Sequence, residues 1–247
     1  MSQLQLFRLF DLVTIINLPE RGDRLREMQE QLHRVGMEMS GSVELFPAAR
    51  PAGKAGFPTR GAHGCFLSHR GCIERALASR ARALLVLEDD VDFVPDFTSL
   101  QASVARRLED ERWDFFYGGG RPLWLRKQGP EESGIASGLC PLKPDIRINC
   151  THFVGIAGGQ LRPLHDYLSA MLRRPRGHPE GGPMDVDGAY SWYRLQVGAR
   201  TFLAVPELGR QRSSASDVRP AWRDWLPGFR HVSPWLRQKA RRLHGRG

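Results

Sequence analysis

Residues 83–88, Ala-Leu-Leu-Val-Leu-Glu, constrain the chain more than any other segment. Five consecutive apolar residues leave no face for water, so this run reads as a strand buried on both sides. Strands of that kind belong to α/β sheets covered by helices on both faces. The run ends abruptly on Glu88-Asp89-Asp90-Val91-Asp92. A buried strand therefore delivers carboxylates to the end of a sheet, where ligands bind in open α/β folds.

The rest of the chain repeats the alternation. Residues 12–16 (LVTII), 43–46 (VELF), 113–117 (WDFFY) and 201–205 (TFLAV) read as strands, and 147–157 holds strand-like apolar runs. Helical spacing appears over 23–35, 65–80, 96–109, 160–173 and from 186. Gly36 suits the end of the first of these. Residues 47–64 and 121–146 read as loops, the second placed to close over a site. The expected fold class is α/β, with a Rossmann-type, mostly parallel sheet flanked by helices.

Composition sets further bounds. No stretch reaches the ~20 apolar residues of a membrane-spanning helix. The N-terminal segment lacks the basic region and cleavage site of a signal peptide, and reads as a buried strand. Cys65, Cys72, Cys140 and Cys150 form no CxxC pair and show no zinc-finger spacing, so free thiols in a reducing compartment are expected. The net charge is +9, but residues 219–247 carry +7 of it, with three of the six tryptophans. A near-neutral body with a basic, Trp-containing tail follows. Such a tail suits an anionic membrane surface, nucleic acid, or a packed helix with a solvated basic face. The near-neutral body argues against duplex binding, so no nucleic-acid partner is expected.

Several constellations carry chemistry. Along an extended chain Glu88, Asp90 and Asp92 share one side. Carboxylates packed so closely repel one another unless a cation intervenes, and Mn²⁺ or Mg²⁺ suits hard oxygen ligands. The alternative is a plain acidic turn. Asn17-Leu18-Pro19-Glu20-Arg21-Gly22-Asp23-Arg24 joins a strand end to a helix start, a place that attracts phosphate; Asp23 as a helix cap is the simpler reading. His69 follows Ser68 one turn into a helix, without the GxSxG elbow of a hydrolase. Asp185 and Asp187 lie at a helix start, where Asp185 is either a cap or a general base.

These segments together resemble glycosyltransferase family 25, which includes bacterial lipooligosaccharide galactosyltransferases and procollagen galactosyltransferases. The resemblance rests on four ordered blocks: INLPERGDR (16–24), GCFLSHRGCIERAL (64–77), LLVLEDDVDF (84–93) and SSASDV (213–218), with a weaker match at PMDVDGAY (183–190). It implies a GT-A-like single domain over 1–218, a UDP-sugar donor, commonly UDP-galactose, and an inverting displacement onto a glycan or lipid-linked glycan acceptor. By the same resemblance Glu88 and Asp90 hold Mn²⁺ or Mg²⁺, and Asn17, Arg21, Arg24, Ser68, His69 and Asp89 line the donor. Asp185 is the expected base, with Asp187 in reserve. A bacterial, cytoplasmic enzyme of lipopolysaccharide biosynthesis is implied, peripheral at the inner membrane through its tail. Two other classes compete: a phosphotransfer enzyme using Asp90 and Asp92, and a non-catalytic adaptor working through 219–247.

Overall fold

The computed structural model of the chain describes residues 5–122 and 138–212. Its centre is a seven-stranded sheet in the order β2-β1-β3-β7-β5-β8-β6. The strands are β1 (Leu12–Asn17), β2 (Val43–Pro47), β3 (Ala83–Glu88), β5 (Phe115–Pro122), β6 (Gly138–Leu142), β7 (Ile148–Ala157) and β8 (Thr201–Val205). A short ribbon pairs β4 (Val91–Phe93) with β9 (Gly209–Gln211). The first half is parallel, β2–β1–β3, and β5–β8 is parallel too. β7 and β6 run against their neighbours, so the sheet is mixed.

The helices fall into two layers, as a doubly buried sheet requires. One face packs α3 (Arg60–Ala78), α5 (Gly158–Arg173) and α6 (Val186–Val197). The other packs α1 (Gln5–Arg8), α2 (Gly22–Arg34) and α4 (Phe97–Glu109). Strand side chains divide between the layers with period two. In β3, Leu84 and Val86 join the first core, whereas Leu85 and Leu87 join the second. Phe153 on β7 is fully buried against the rings of Phe93 and Phe116. Truncating such a ring costs about 3–5 kcal/mol.

Three expectations are corrected. The stretch before β1 holds a helical turn, Gln5–Arg8, that buries Leu6 and Phe7; it is not a strand throughout. The loop over 47–64 is shorter than expected, because α3 starts at Arg60, where the Thr59 hydroxyl accepts from the Ala62 N–H at 2.9 Å. The expected loop over 121–146 contains β6, an edge strand on β8. Residues 123–137, the SSASDV block and the basic tail lie outside the described residues. Among the described residues no helix is long and apolar enough to cross a membrane.

Candidate active site

Strand parity decides where each carboxylate of the acidic run points. Glu88 continues the series Leu84, Val86 and faces α3. Asp89 continues Leu85, Leu87 and faces α2. The contacts follow. Glu88 meets His69 of α3, with Nε2 and Oε1 3.2 Å apart. Asp89 meets Arg24 of α2 at 3.2 Å and accepts from Asn17 Nδ2 at 2.7 Å. Arg24 and Asp89 are both buried. Their pair therefore locks the end of β3 to α2 and β1. Burial pushes the Asp89 carboxyl up, opposed by Arg24 and Asn17.

Glu88 is the centre of a second network. The Thr151 hydroxyl donates to Glu88 Oε1 at 3.1 Å. On the far side of the imidazole, His69 Nδ1 lies 3.2 Å from the Tyr190 hydroxyl, the rings edge to face. Burial raises the Glu88 carboxyl, but the His69 hydrogen bond and charge outweigh it and leave the group below its ordinary value. Cys65 sits one helical turn before His69, and its thiol joins His69 and Glu88, all ligand atoms within 4.8 Å of one another.

Asp90 is held differently. Its Oδ2 accepts from Gln211 Nε2 at 3.2 Å and its backbone carbonyl accepts from Arg212 N–H at 2.6 Å, both across the β4–β9 ribbon. Its Oδ1 is buried with no hydrogen-bond partner among the described residues. Burial and then the charge of Glu88 push this carboxyl up to about 7. An orphaned oxygen raised by the charge of a second carboxylate is an environment that a divalent cation relieves, and hard oxygen ligands suit Mn²⁺ or Mg²⁺. Asp92, expected on the same side, instead accepts from Arg212 Nε at 2.8 Å, and Arg212 also pairs with Glu27 of α2. The Asp90/Asp92 pair of a phosphotransfer site is therefore not assembled.

The floor comes from β5 and β7. A Cβ at Gly119 would lie 2.3 Å from Gly209 O and 2.4 Å from His152 Nε2, so only glycine lets the strands close here. His152 Nε2 donates to Gly209 O at 3.1 Å, and burial lowers its basicity. Cys150 adopts φ of +72°, an uncommon left-handed conformation for a residue with a side chain. This turns its N–H onto Asp187 Oδ2 at 3.3 Å. Asp187 Oδ1 accepts from the Gly188 N–H at 2.7 Å, so both oxygens are engaged. Asp185 occupies the N-cap position of α6 without a side-chain capping bond. Cys65 ties the acids together. Burial drives its thiol well above the usual range, and Glu88, Asp187, Asp90 and Asp185 all add to the effect.

The expected donor-side residues separate into two groups. Asn17, Arg24 and Asp89 form the buried clamp just described, and Arg21 pairs with Asp23 at 2.8 Å at the start of α2. Ser68 is buried, donating to Gly64 O at 2.7 Å and accepting from Ala49 N–H at 2.8 Å, which fastens the strap after β2 onto α3. His69 alone of that Ser-His pair reaches the acids. Cys65, Thr151, His152 and Tyr190 carried no expected site role, and Gln211 stood out only as the start of the polar segment 211–217 just past the final strand. The i, i+4 spacing of Cys65 and His69 on one helix was a readable signal; nothing in the chain order tied Gln211 to Asp90, 121 residues away. Two surface clefts among the described residues lie apart from the acids: one of about 530 Å³ beside Asp11, Arg82 and Asp114, the other of about 330 Å³ beside Trp192 and Leu195.

Comparison with known proteins adds family context. Residues 10–121 match the family model "Glycosyltransferase family 25 (LPS biosynthesis protein)". A human protein named inactive glycosyltransferase 25 family member 3 is 32% identical over 263 residues, covering 92% of this chain and 40% of that protein. Human procollagen galactosyltransferase 2 is 25% identical over 143 residues, covering 50% of this chain and 22% of the relative. Among solved structures, a glycosyltransferase involved in glycosylation of the major capsid of PBCV-1 aligns with a TM-score of 0.43 at 14% identity, covering 78% and 81% of the two chains. The chain thus spans about two fifths of the length of the first curated relatives it matches, which are 40% covered.

Proposed function

We propose, taking as premise the membership of residues 10–121 in glycosyltransferase family 25, that this chain transfers a sugar from a UDP-sugar to a hydroxyl of a glycan or lipid-linked glycan. Galactose is the sugar we favour, and inversion the stereochemical course. One observation carries the reading: the buried, unpartnered Oδ1 of Asp90 beside Glu88, at the carboxyl end of β3. Relatives carry names of both kinds, a galactosyltransferase and an inactive member, so activity rests on this chain's own acids.

Glu88 and Asp90 would hold Mn²⁺ or Mg²⁺, whose positive charge stabilises a departing diphosphate. The Asn17–Asp89–Arg24 clamp holds the end of β3 so that Glu88 and Asp90 keep their places. Asp185, at the N-cap position of α6, is the base we assign to take the proton of the acceptor hydroxyl, with Asp187 in reserve. Arg21, paired with Asp23 at the start of α2, is the cation we assign to donor phosphate. The tail over 219–247 serves contact with an anionic membrane, and the working compartment is the cytoplasm.

The test is calorimetric titration of the full chain with UDP, with Mn²⁺ and with chelator. Tighter binding with Mn²⁺, lost in Asp90→Asn, is expected, together with UDP release from UDP-galactose when an acceptor glycan is present. Equal UDP binding with chelator would remove the metal from the reading. Tight UDP binding without turnover on any acceptor would leave a donor-binding adaptor.

A further inference from the structure

The Cys65–His69–Glu88 cluster is not used by the proposed reaction as a unit, and its chemistry differs from the oxygen pair of Glu88 and Asp90. Cys65 and His69 stand four residues apart on α3, hence on one helix face. Strand parity brings Glu88 to that face from the end of β3. All three ligand atoms lie within 4.8 Å of one another, with His69 Nε2 and Glu88 Oε1 at 3.2 Å. A tetrahedral zinc centre with bonds of ~2.0–2.3 Å needs ligand separations of roughly 3.3–3.8 Å, so the cluster is within about an ångström of closing.

Two features prepare the cluster for a cation. His69 is fully buried, and its Nδ1 is fixed by the Tyr190 hydroxyl at 3.2 Å, which aims Nε2 at Glu88. Such an outer partner orients the imidazole of most metal-bound histidines. Thr151 does the same for the carboxylate.

We propose that Cys65, His69 and Glu88 form a site for a soft divalent cation of the Zn²⁺ class, distinct from the hard-cation site at Asp90. Thiolate plus imidazole plus carboxylate selects Zn²⁺ over Mg²⁺ or Ca²⁺, and three protein ligands leave a fourth position for water. As the cation binds, the Cys65 thiol proton leaves to solvent, and the Nε2 proton that His69 donates to Glu88 leaves as well or passes to Nδ1, which then donates to the Tyr190 hydroxyl. Because Glu88 belongs to both sites, Zn²⁺ withdraws a ligand from the donor-side cation and acts as an inhibitor. This last clause rests on the proposed function; the binding itself does not.

The experiment uses the full chain without nucleotide, titrated with Zn²⁺ against a chromophoric chelator, and with Co²⁺ as a spectroscopic probe. Expected are one tight Zn²⁺ per chain and an intense near-ultraviolet thiolate-to-Co²⁺ band. Cys65→Ser removes the band, and Cys65→Ser or His69→Gln weakens Zn²⁺ binding by more than ~100-fold, beyond the 10–100-fold cost of losing an outer partner such as the Tyr190 hydroxyl in Tyr190→Phe. Asp90→Asn keeps Zn²⁺ affinity within a few-fold of wild type. Far-ultraviolet circular dichroism checks each variant's fold, and the wild-type Co²⁺ spectrum requires no variant. The proposal is overturned if folded wild-type protein gives no thiolate band, or if Cys65→Ser binds Zn²⁺ as tightly as wild type. Zn²⁺ should also weaken Mn²⁺-supported UDP binding in wild type and not in Cys65→Ser. If UDP binding shows no Mn²⁺ dependence at all, the proposed function fails while the Zn²⁺ titration still decides this site.

Discussion

Replacing Asp90 with Asn should stabilise the metal-free protein while destroying its response to metal. Asp90 is buried, and burial followed by the Glu88 charge places its carboxyl at about 7 against an ordinary 3.8. A carboxyl raised in the folded state contributes stability that is present below its unfolded value and is lost as pH rises through the folded one. In chelator, wild type should therefore lose stability relative to the variant between pH ~4 and ~7. At 1.36 kcal/mol per pKa unit the loss is at most about 4 kcal/mol, and an effective dielectric well above that of dry protein brings it to roughly 2 kcal/mol. For a chain of this size, that is a rise in Tm of about 4–8 °C for Asp90→Asn at pH 8. The amide also places an N–H₂ where Oδ1 had no partner, with Gln211 still donating to the remaining oxygen. The assay is a pair of thermal melts at pH 5 and pH 8, with chelator and with excess Mn²⁺. The variant's advantage should grow with pH in chelator, and Mn²⁺ should raise the wild-type Tm alone. A difference independent of pH, or an Asn variant that melts lower at pH 8, would refute the account of Asp90 as an acid strained by its burial.

Three other outcomes are expected. Asp185→Asn should cut the transfer rate by ~100-fold or more, as loss of a general base does, with UDP affinity unchanged in calorimetry; a full rate would move the role to Asp187. Arg24→Ala strands the buried Asp89 carboxylate and should cost about 3–5 kcal/mol in a urea melt; a change under 1 kcal/mol would show that Asn17 alone holds the clamp. The full chain should co-sediment with anionic vesicles at low salt and leave them at high salt, whereas a truncation after Pro220 should bind UDP and ignore vesicles; an unfolded truncation would make the tail part of the core.

What the sequence disclosed depended on distance along the chain. The β3 run and the acids after it were legible because burial and charge change sign within two residues. Glu88 and Asp90 could be named as a pair, but the opposite facing of Asp89 follows only once α2 is known to lie on its side of the sheet. Nor could the chain order show that Arg24 and Asn17, expected on the donor side, also hold Asp89. The early start of α3 was missed because Arg60, Gly61 and His63 carry no apolar periodicity; the Thr59 cap sets that boundary. The β4–β9 ribbon was unreadable, since three-residue strands have no period and their partners stand about 120 residues apart. Gln211 and Arg212 stood out as a polar segment past the last strand, but for the same reason could not be matched to Asp90 and Asp92.

The Arg212 N–H bond to the Asp90 carbonyl has a consequence of length. Everything after Arg212 is leashed at the acids themselves. Arg219, where the basic segment begins, stands seven positions after Arg212, and an extended chain gains at most ~3.3–3.6 Å per residue. Whatever the intervening path, the first cation of that segment stays within roughly 25 Å of the bond that holds Asp90. If the basic segment captures a surface or polymer, as proposed, that ligand is confined to a small volume around the acids, where its hydroxyls reach the millimolar effective concentrations of a short tether. Weak affinity of the active centre for its acceptor would then be no handicap, since capture and chemistry share one short stretch of chain.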